Sequence, residues 1–491
     1  MSVKDARQSR SPSSFQTWCS PTGHELFTAW KYLSNTFLFS VSTFGSKLLL
    51  FLLTPFYTSV LTDSEYGVTD LIMQTGNVLI PIVSLGVTNA ILRFGLEKGT
   101  DDRCVFTTGL AVIALGEVLL ALFYPLLQSL GLMGDYALLL LLYVLMANLH
   151  SLFGSMAQAL GKVRLYAVSG IVCTVLLVAL NVLFLAVFRM GIAGYILSNV
   201  LADALAAAFL FFALRLWEHF SLPSIRREVV RNMLRYCLPL IPATVCSWII
   251  NISDRYFISY MLGSDVSGLY AVANKISTIM LILSNIFTSA WQLSAMEGRA
   301  RAERERFFSN VYSVYEALAM VGAAVLMAAS RLIMRFLAAP DYFSAWHYAP
   351  VLTLGTALGC LGAFFATVYM VEKRSTATLT TTAAGAVVNL AGNALLIPVW
   401  GAMGAAIATL ASYVVIFAAR AIHSRTLLKV SFSVPRFLAA MAVLVFECFL
   451  VEGERTAESV LCCAAVALLY VRPLIKAARS GFREILPRRH R

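Results

Sequence analysis

The chain has 491 residues, of which 59% are hydrophobic and only 13% are charged, and its formal net charge at pH 7 is +12. Soluble globular proteins carry about 25% charged residues, so this composition excludes an ordinary soluble enzyme and indicates a polytopic membrane protein. The basic excess is what the positive-inside rule produces, and we therefore expect no nucleic-acid partner.

The chain begins with thirty mostly polar residues, which include Lys4, Arg7 and Arg10 and contain no small-residue cleavage site. We expect no signal peptide here, and we assign residues 1–30 to a cytoplasmic segment. The nine cysteines and six histidines are scattered along the chain. Their spacing predicts neither a metal site nor a disulfide framework.

Apolar runs long enough to cross a bilayer, which takes about 20 residues, recur fourteen times. The predicted spans are 36–60, 68–92, 105–127, 136–160, 165–188, 192–214, 236–262, 266–291, 310–329, 346–370, 377–399, 402–420, 435–451 and 457–473. The sequence therefore predicts an all-α membrane protein with about fourteen transmembrane helices.

Basic residues alternate between the gaps that separate these spans. The N-terminus, the even-numbered gaps and the C-terminus hold 30 of the 38 Lys and Arg residues, whereas the odd-numbered gaps hold four. Because basic residues are retained in the cytoplasm, both termini are predicted to be cytoplasmic. The remaining four cations, which topology does not explain, are Lys47, Arg93, Arg255 and Lys275.

The two halves of the chain carry a weak internal repeat. Leu61 begins an acidic turn that ends at Gly67, and Leu262 begins a similar turn that ends at Gly268, 201 residues later. Six spans followed by six in the same orientation imply parallel repeats. The predicted organisation is an N-lobe at 31–214, a cytoplasmic linker at 215–235, a C-lobe at 236–420, two appended spans within 421–475 and a basic cytoplasmic tail at 476–491.

Three of the unexplained cations lie inside apolar runs. A basic side chain at mid-bilayer costs about 2.5–3.5 kcal/mol on insertion scales, so it usually faces a protein interior, a carboxylate or a water-filled cavity. Lys47, Arg255 and Lys275 therefore predict a cavity for an anionic ligand, with interhelical ion pairs as the alternative. Asp254 precedes Arg255, but successive helical residues point apart, so pairing of Arg255 to another span is the open alternative. Arg93 lies near the cytoplasmic end of span 2, where it either snorkels to the interface or makes first contact with the ligand.

Uncharged polar residues follow the same spans and could bind sugar hydroxyls, although bridging between helices is the simpler interpretation of each one. They are Asn77, Asn89, Asn251, Asn274, Asn285 and Gln292. Glu117 and Asp203 are the deepest acidic residues, and we expect them to take a coupling H⁺ or Na⁺ or to neutralise Lys47. No motif for a nucleotide, a metal or a nucleophile is present, so we expect no enzyme and no cofactor.

Three stretches resemble a known family. They are FGSKLLLFLLTPFYTSVLTDSEYG from Phe44 to Gly67, LGVTNAILRF from Leu85 to Phe94, and the segment from Asp254 to Lys275 that contains DRYFI and GLYAVANK. These stretches resemble the polysaccharide transporter family, the Wzx-type oligosaccharide-lipid flippases of the superfamily that also contains multidrug extruders and the lipid II flippase.

The resemblance implies two six-helix lobes around a V-shaped central cavity, alternating access, and transport of undecaprenyl-pyrophosphate-linked sugars across a bacterial or archaeal cytoplasmic membrane. Two extra C-terminal helices also occur in the flippase branches. Implied partners are the lipid-linked oligosaccharide, the bilayer, and glycosyltransferases or a polysaccharide polymerase. The alternatives are a cation-coupled exporter of small molecules, a lipid II or sporulation-type envelope flippase, and a membrane scaffold without transport.

Overall fold

The structure is a computed structural model, and it describes residues 51, 53–95, 101–129, 136–238, 241–295, 301–372 and 374–480. These ranges contain seventeen α-helices and no strand. In chain order the helices are α1 Thr54–Val60, α2 Asp63–Val83, α3 Val87–Gly95, α4 Asp102–Leu122, α5 Tyr124–Ser129, α6 Ala137–Ala159, α7 Val163–Asn181, α8 Gly191–Ala213, α9 Arg227–Cys237, α10 Ile241–Leu262, α11 Ser264–Ala295, α12 Arg301–Ala328, α13 Ser330–Leu337, α14 Ala349–Val371, α15 Ser375–Leu427, α16 Val434–Glu452 and α17 Thr456–Ser480.

The helices agree with the predicted spans over the described part of the chain. Ten helices are long and apolar enough to cross a membrane, and α2 and α3 together form an eleventh candidate bent by 50°. One of the ten, α15, covers both span 11 and span 12. Its backbone breaks at Gly401, where φ is +59°, and this break separates the two spans. Helix α10 corresponds to span 7 and carries Asp254 and Arg255 in its interior, and it is not among the eleven candidates. Most of span 1 lies outside the described residues, and α1 is its final part.

Local sequence explains where the second span begins and bends. Thr62 caps α2, because its hydroxyl accepts a hydrogen bond from the Glu65 amide while the Glu65 carboxylate accepts one from the Thr62 amide at 2.9 Å. This reciprocal capping box satisfies two backbone donors that a helix otherwise leaves free. The span bends where Leu85 and Gly86 adopt positive φ angles of 49° and 65°.

The helices form two groups, and one buried apolar cluster, which includes Tyr66 and Tyr270, joins the groups. Helices α2–α8 form the N-lobe, whose core includes Phe106, Leu152 and Leu210. Helices α10–α15 form the C-lobe, and α16 and α17 pack on it against α12. The C-lobe core is rich in aromatic residues and extends to Tyr470 of α17. Within the predicted linker, α9 packs on the N-lobe and buries Met233.

Candidate functional site

The two lobes meet at the end of the bundle where α2 and α11 begin. The helices cross so closely at Gly67 and Gly268 that a methyl group added to Gly67 would overlap the Ser264 carbonyl oxygen. A methyl group added to Gly268 would overlap the Asp63 carbonyl oxygen in the same way. Small residues at such a crossing allow the two backbones to approach each other in a membrane protein. The contact joins the two glycines that the internal repeat identifies as equivalent.

Polar contacts surround this crossing and hold the lobes together. The Ser64 and Ser264 hydroxyl oxygens lie 2.6 Å apart, and the Thr75 and Tyr256 hydroxyl oxygens lie 2.5 Å apart. The Tyr342 hydroxyl donates to the Leu61 carbonyl oxygen at 2.9 Å. We call the set of α2, α10 and α11 residues at this crossing the lobe junction; its members are Ser64, Gly67, Asp70, Thr75, Arg255, Tyr256, Ser264 and Gly268.

The lobe junction contains a charged pair as well. Arg255 Nε donates to Asp70 Oδ2 at 2.5 Å, and the Arg255 guanidinium also donates to the Asn251 carbonyl oxygen at 2.6 Å. The Arg255 and Asp70 side chains are only 8% and 12% exposed. The closest partner of Arg255 therefore lies on another span. The expectation that Arg255 would not contact Asp254 was wrong, because Arg255 Nη1 lies 3.5 Å from Asp254 Oδ1.

Lys275 lies on α11 seven residues after Gly268, which is two turns further along the same helix face. Its side chain is half-buried. Tyr195 of the N-lobe helix α8 lies close enough to interact with it electrostatically. Among the described residues, no hydrogen bond or ion pair engages the Lys275 ammonium group. Gln74, which is equivalent to Lys275 in the repeat, holds the same position relative to Gly67 on α2.

Three of the asparagines predicted from the sequence form side-chain hydrogen bonds, and two others are exposed. Asn77 accepts a hydrogen bond from the Tyr143 hydroxyl at 3.2 Å, and Asn274 donates to the Tyr270 carbonyl oxygen at 3.2 Å. Asn251 is exposed and accepts from the Tyr413 hydroxyl at 3.2 Å. The two remaining exposed side chains are those of Asn89 and Asn285.

The other predicted binding residues are not gathered at the lobe junction. Arg93 is exposed, and its guanidinium lies 4.5 Å from the ring centre of Tyr236. This cation–π contact fits a side chain held near an interface. Lys47 and the side chain of Gln292 lie outside the described residues.

The two predicted coupling carboxylates lie in the N-lobe. Glu117 accepts a hydrogen bond from Asn148 at 3.5 Å. Asp203 pairs with His150 at 2.8 Å and accepts from the Cys173 thiol at 3.6 Å. Sequence spacing gave no sign of this cluster, because its members lie on three different helices.

Two buried polar groups of the C-lobe were also missed by the sequence analysis. Ser253, the residue before Asp254, joins Asn389, Asn393 and Thr409 in one cluster of side-chain hydrogen bonds. The cluster combines amide and hydroxyl oxygens, and the Asp254 carboxylate instead accepts a hydrogen bond from the Tyr270 hydroxyl at 2.7 Å.

Arg420, the last residue of predicted span 12, is the second group, and its side chain is buried inside the C-lobe. It is 8% exposed. Its guanidinium donates to the Thr381 and Thr382 hydroxyls and to the Gly362 carbonyl oxygen. The signal available in the sequence was the position of Arg420 at the edge of an apolar run.

Comparisons with known proteins identify the family and the fold. The family model described as "Polysaccharide biosynthesis protein" matches residues 32–293. The lipid II flippase MurJ in an inward closed conformation is 15% identical, with a TM-score of 0.69, 90% of this chain covered and 100% of that chain covered. No curated protein sequence matches the chain.

A similar fold occurs in a multidrug resistance MATE family transporter of the MOP superfamily. Its inward-facing conformation is 14% identical, with a TM-score of 0.63 over 78% of this chain and 95% of that chain. An outward-facing conformation is 16% identical, with a TM-score of 0.59 over 82% of this chain and 95% of that chain. At these identities the likeness shows the fold, which is shared by flippases and exporters.

Proposed function

Because this chain belongs to the polysaccharide biosynthesis protein family, we propose that it is a flippase for a polyprenyl-pyrophosphate-linked oligosaccharide. The glycan and the pyrophosphate would cross about 30 Å of hydrocarbon, while the lipid tail stays in the bilayer. The protein therefore has to supply a polar path between its lobes, and it has to bind the pyrophosphate with Lys or Arg. No bond is made or broken, so the proposed activity is transport.

The main observation that supports this proposal is the environment of Lys275. Lys275 is a half-buried cation on the helix face that crosses the N-lobe, and no carboxylate neutralises it among the residues that the structure describes. Lys47 is proposed to be its counterpart in span 1. An anionic ligand between the lobes would supply the missing charge, since an unpaired cation within a membrane span is costly. Arg255 serves a different purpose, because Asp70 already neutralises it.

The lobe junction supports transport by alternating access. The lobes are held together at one end of the bundle by hydroxyl contacts and one ion pair, all of which can separate without breaking a helix. The distribution of basic residues supports cytoplasmic termini, and this end of the bundle would then face outward. The structure would then represent the state in which ligand enters from the cytoplasmic leaflet of a bacterial or archaeal cytoplasmic membrane. Glycosyltransferases that build the glycan and a polymerase that uses it are the proposed partners.

Purified protein in liposomes provides the test. Polyprenyl-pyrophosphate carrying a fluorescent oligosaccharide is incorporated, and a membrane-impermeant quencher added outside reports the fraction of glycan in the outer leaflet. We expect the quenchable fraction to grow with time in proteoliposomes and to stay constant in empty liposomes. Equal behaviour of the two preparations would refute the flippase.

A cation-coupled exporter of small molecules is the second candidate. The observations that favour it are the carboxylates Glu117 and Asp203 of the N-lobe and the buried carboxylate Asp254 of the C-lobe, which could bind H⁺ or Na⁺. The same proteoliposomes, loaded with a fluorescent organic cation and given a Na⁺ or proton gradient, separate the two candidates. Gradient-driven efflux of the dye without glycan movement would favour the exporter. A lipid II or sporulation-type flippase is distinguished by replacing the oligosaccharide lipid with one that carries a peptide.

A further inference from the structure

Three metal-ligating side chains from three helices of the N-lobe come together. His150 lies on α6, Cys173 on α7 and Asp203 on α8, and one ligand atom from each lies within 4.8 Å of the other two. His150 Nδ1 lies 2.8 Å from Asp203 Oδ1, and Cys173 Sγ lies 3.6 Å from the same oxygen. The three side chains therefore converge on one point.

The three residues lie near the middle of their spans, where a carboxylate needs a partner. A charge at the centre of a bilayer costs about 2.5–3.5 kcal/mol on insertion scales, and it marks a functional site by default. A hydrogen bond between His150 and Asp203 would meet that need by itself. That simple pair does not explain why a thiol also points at the same carboxylate oxygen. The His150 and Asp203 side chains are each 19% exposed, so the pair is not fully enclosed by the protein.

We propose that His150, Cys173 and Asp203 form a binding site for a divalent transition-metal cation of the Zn²⁺ class. In tetrahedral zinc sites the metal lies about 2.0–2.3 Å from N, O and S ligands, which places the ligand atoms about 3.4–3.6 Å from each other. The sulfur–oxygen distance of 3.6 Å already fits. The nitrogen–oxygen distance of 2.8 Å has to open by about 0.6 Å, and the distance between the His150 and Cys173 ligand atoms, which is at most 4.8 Å, has to come to about 3.5 Å. Side-chain rotations would have to make both changes.

The donor set decides which cation class fits. One imidazole, one thiolate and one carboxylate suit Zn²⁺ or Co²⁺, whereas Na⁺, Mg²⁺ and Ca²⁺ prefer oxygen ligands alone. Three protein ligands leave a fourth tetrahedral position for water or for a substrate group. The Tyr143 hydroxyl lies within electrostatic reach of both Asp203 and Cys173, and it also donates to Asn77 of α2. A metal here would therefore connect, through Tyr143, to the helix that carries the lobe junction.

Cobalt spectroscopy on the purified full chain tests this site. The affinity tag used for purification contains no His or Cys. We expect about one Co²⁺ per chain and a thiolate-to-cobalt charge-transfer band in the near ultraviolet. Cys173→Ser should remove the band, and Asp203→Asn and His150→Ala should weaken Co²⁺ binding at least about tenfold. Cys246→Ser is the matched control, because this half-buried cysteine lies on α10 of the other lobe, and it should leave the band unchanged.

A band that persists in Cys173→Ser, or that disappears in Cys246→Ser, would overturn the proposal, and so would the absence of any band. If the variants fail to fold, the wild-type chain still gives an answer. Zn²⁺ should slow maleimide labelling of Cys173 at least about tenfold without affecting Cys246, as read by peptide mass spectrometry. Equal protection of the two cysteines, or protection of neither, would refute the site. Both measurements are independent of whether the protein moves a glycan lipid.

Discussion

Gly67 and Gly268 occupy equivalent positions in the two repeats, and they contact each other across the lobe junction. A methyl group built on Gly67 would lie 2.8 Å from the Gly268 amide nitrogen, which is closer than Cβ atoms approach other atoms. The two halves of the chain thus meet at the residues by which the sequence relates them.

The glycine crossing should set the balance between the closed and open junction. In Gly67→Ala the added methyl group overlaps backbone atoms, and such overpacking costs about 1–3 kcal/mol. Because the overlap destabilises the closed state by that amount, the open state becomes more populated. Labelling of a Ser264→Cys reporter by an impermeant maleimide should therefore increase about 5–150-fold. Gly322→Ala is the control, because its methyl group would meet only the Met280 sulfur, at 3.6 Å. An unchanged labelling rate in Gly67→Ala would contradict the role given to the crossing.

The Asp70–Arg255 pair should stabilise the folded protein strongly. Asp70→Asn leaves the Arg255 guanidinium buried without its closest counter-charge, and removal of one member of a buried pair costs about 3–5 kcal/mol. We expect the lower end of this range because Asp254 remains nearby. The unfolding midpoint in detergent should fall, and the double variant Asp70→Asn/Arg255→Gln should recover part of the loss.

The matched control for this pair is Glu218→Gln. Glu218 pairs with Arg215 in a contact whose side chains are 53% and 71% exposed, and exposed pairs contribute about 0–1 kcal/mol. Equal midpoints for Asp70→Asn and Glu218→Gln would show that the buried pair adds nothing to stability.

Lys275 should bind the anionic part of the transported lipid. A hydrogen bond to a charged group contributes about 1.5–3 kcal/mol, so Lys275→Ala should slow glycan movement in proteoliposomes about 10–150-fold. Lys275→Arg keeps the charge and should retain most of the rate. Lys162→Ala, at an exposed position between α6 and α7, should behave as wild type. Wild-type transport in Lys275→Ala would remove this residue from the ligand path.

A reversible crosslink at the lobe junction should stop transport. The Ser64 and Ser264 hydroxyl oxygens are 2.6 Å apart, so cysteines at both positions place their sulfur atoms within bonding reach. Oxidation of Ser64→Cys/Ser264→Cys should yield the crosslinked peptide by mass spectrometry and abolish glycan movement, and reduction should restore it. The single variant Ser264→Cys is the control. Full transport in the crosslinked protein would exclude opening at this end of the bundle.

Lys47 is expected to act with Lys275. In cells that depend on this protein for a surface glycan, Lys47→Ala should abolish glycan export while membrane fractions contain a normal amount of the protein. Normal surface glycan in that variant would remove Lys47 from the binding path.

The membrane spans and the fold class were predictable because hydrophobic length and charge placement act locally. A run of about 20 apolar residues crosses a bilayer whatever its neighbours are. The boundary predicted between spans 11 and 12 is confirmed, because the backbone leaves the helical conformation at Gly401 and divides α15 into two helical parts. The repeat could also be read directly from two similar turns.

The partners of the charged side chains could not be predicted, since they depend on how helices pack. Asp70 and Arg255 are 185 residues apart, and no spacing rule relates them. His150, Cys173 and Asp203 each looked like an isolated residue of its own span. A single sequence gives the face of a helix on which a residue lies, but not which other helix covers that face.

The Gly67–Gly268 contact has the form of an isologous interface, in which the same patch of two copies meets across a twofold axis. A six-span ancestor that paired with itself through this glycine would have formed such a dimer. Duplication and fusion of its gene would then have allowed each copy to change separately. The Asp70–Arg255 pair breaks the symmetry of the interface, because the equivalent positions in the opposite repeats hold Ala271 and Thr54. A symmetric homodimer would carry such a pair twice, so a single Asp70–Arg255 pair requires two halves of different sequence, which one chain with two unlike repeats provides.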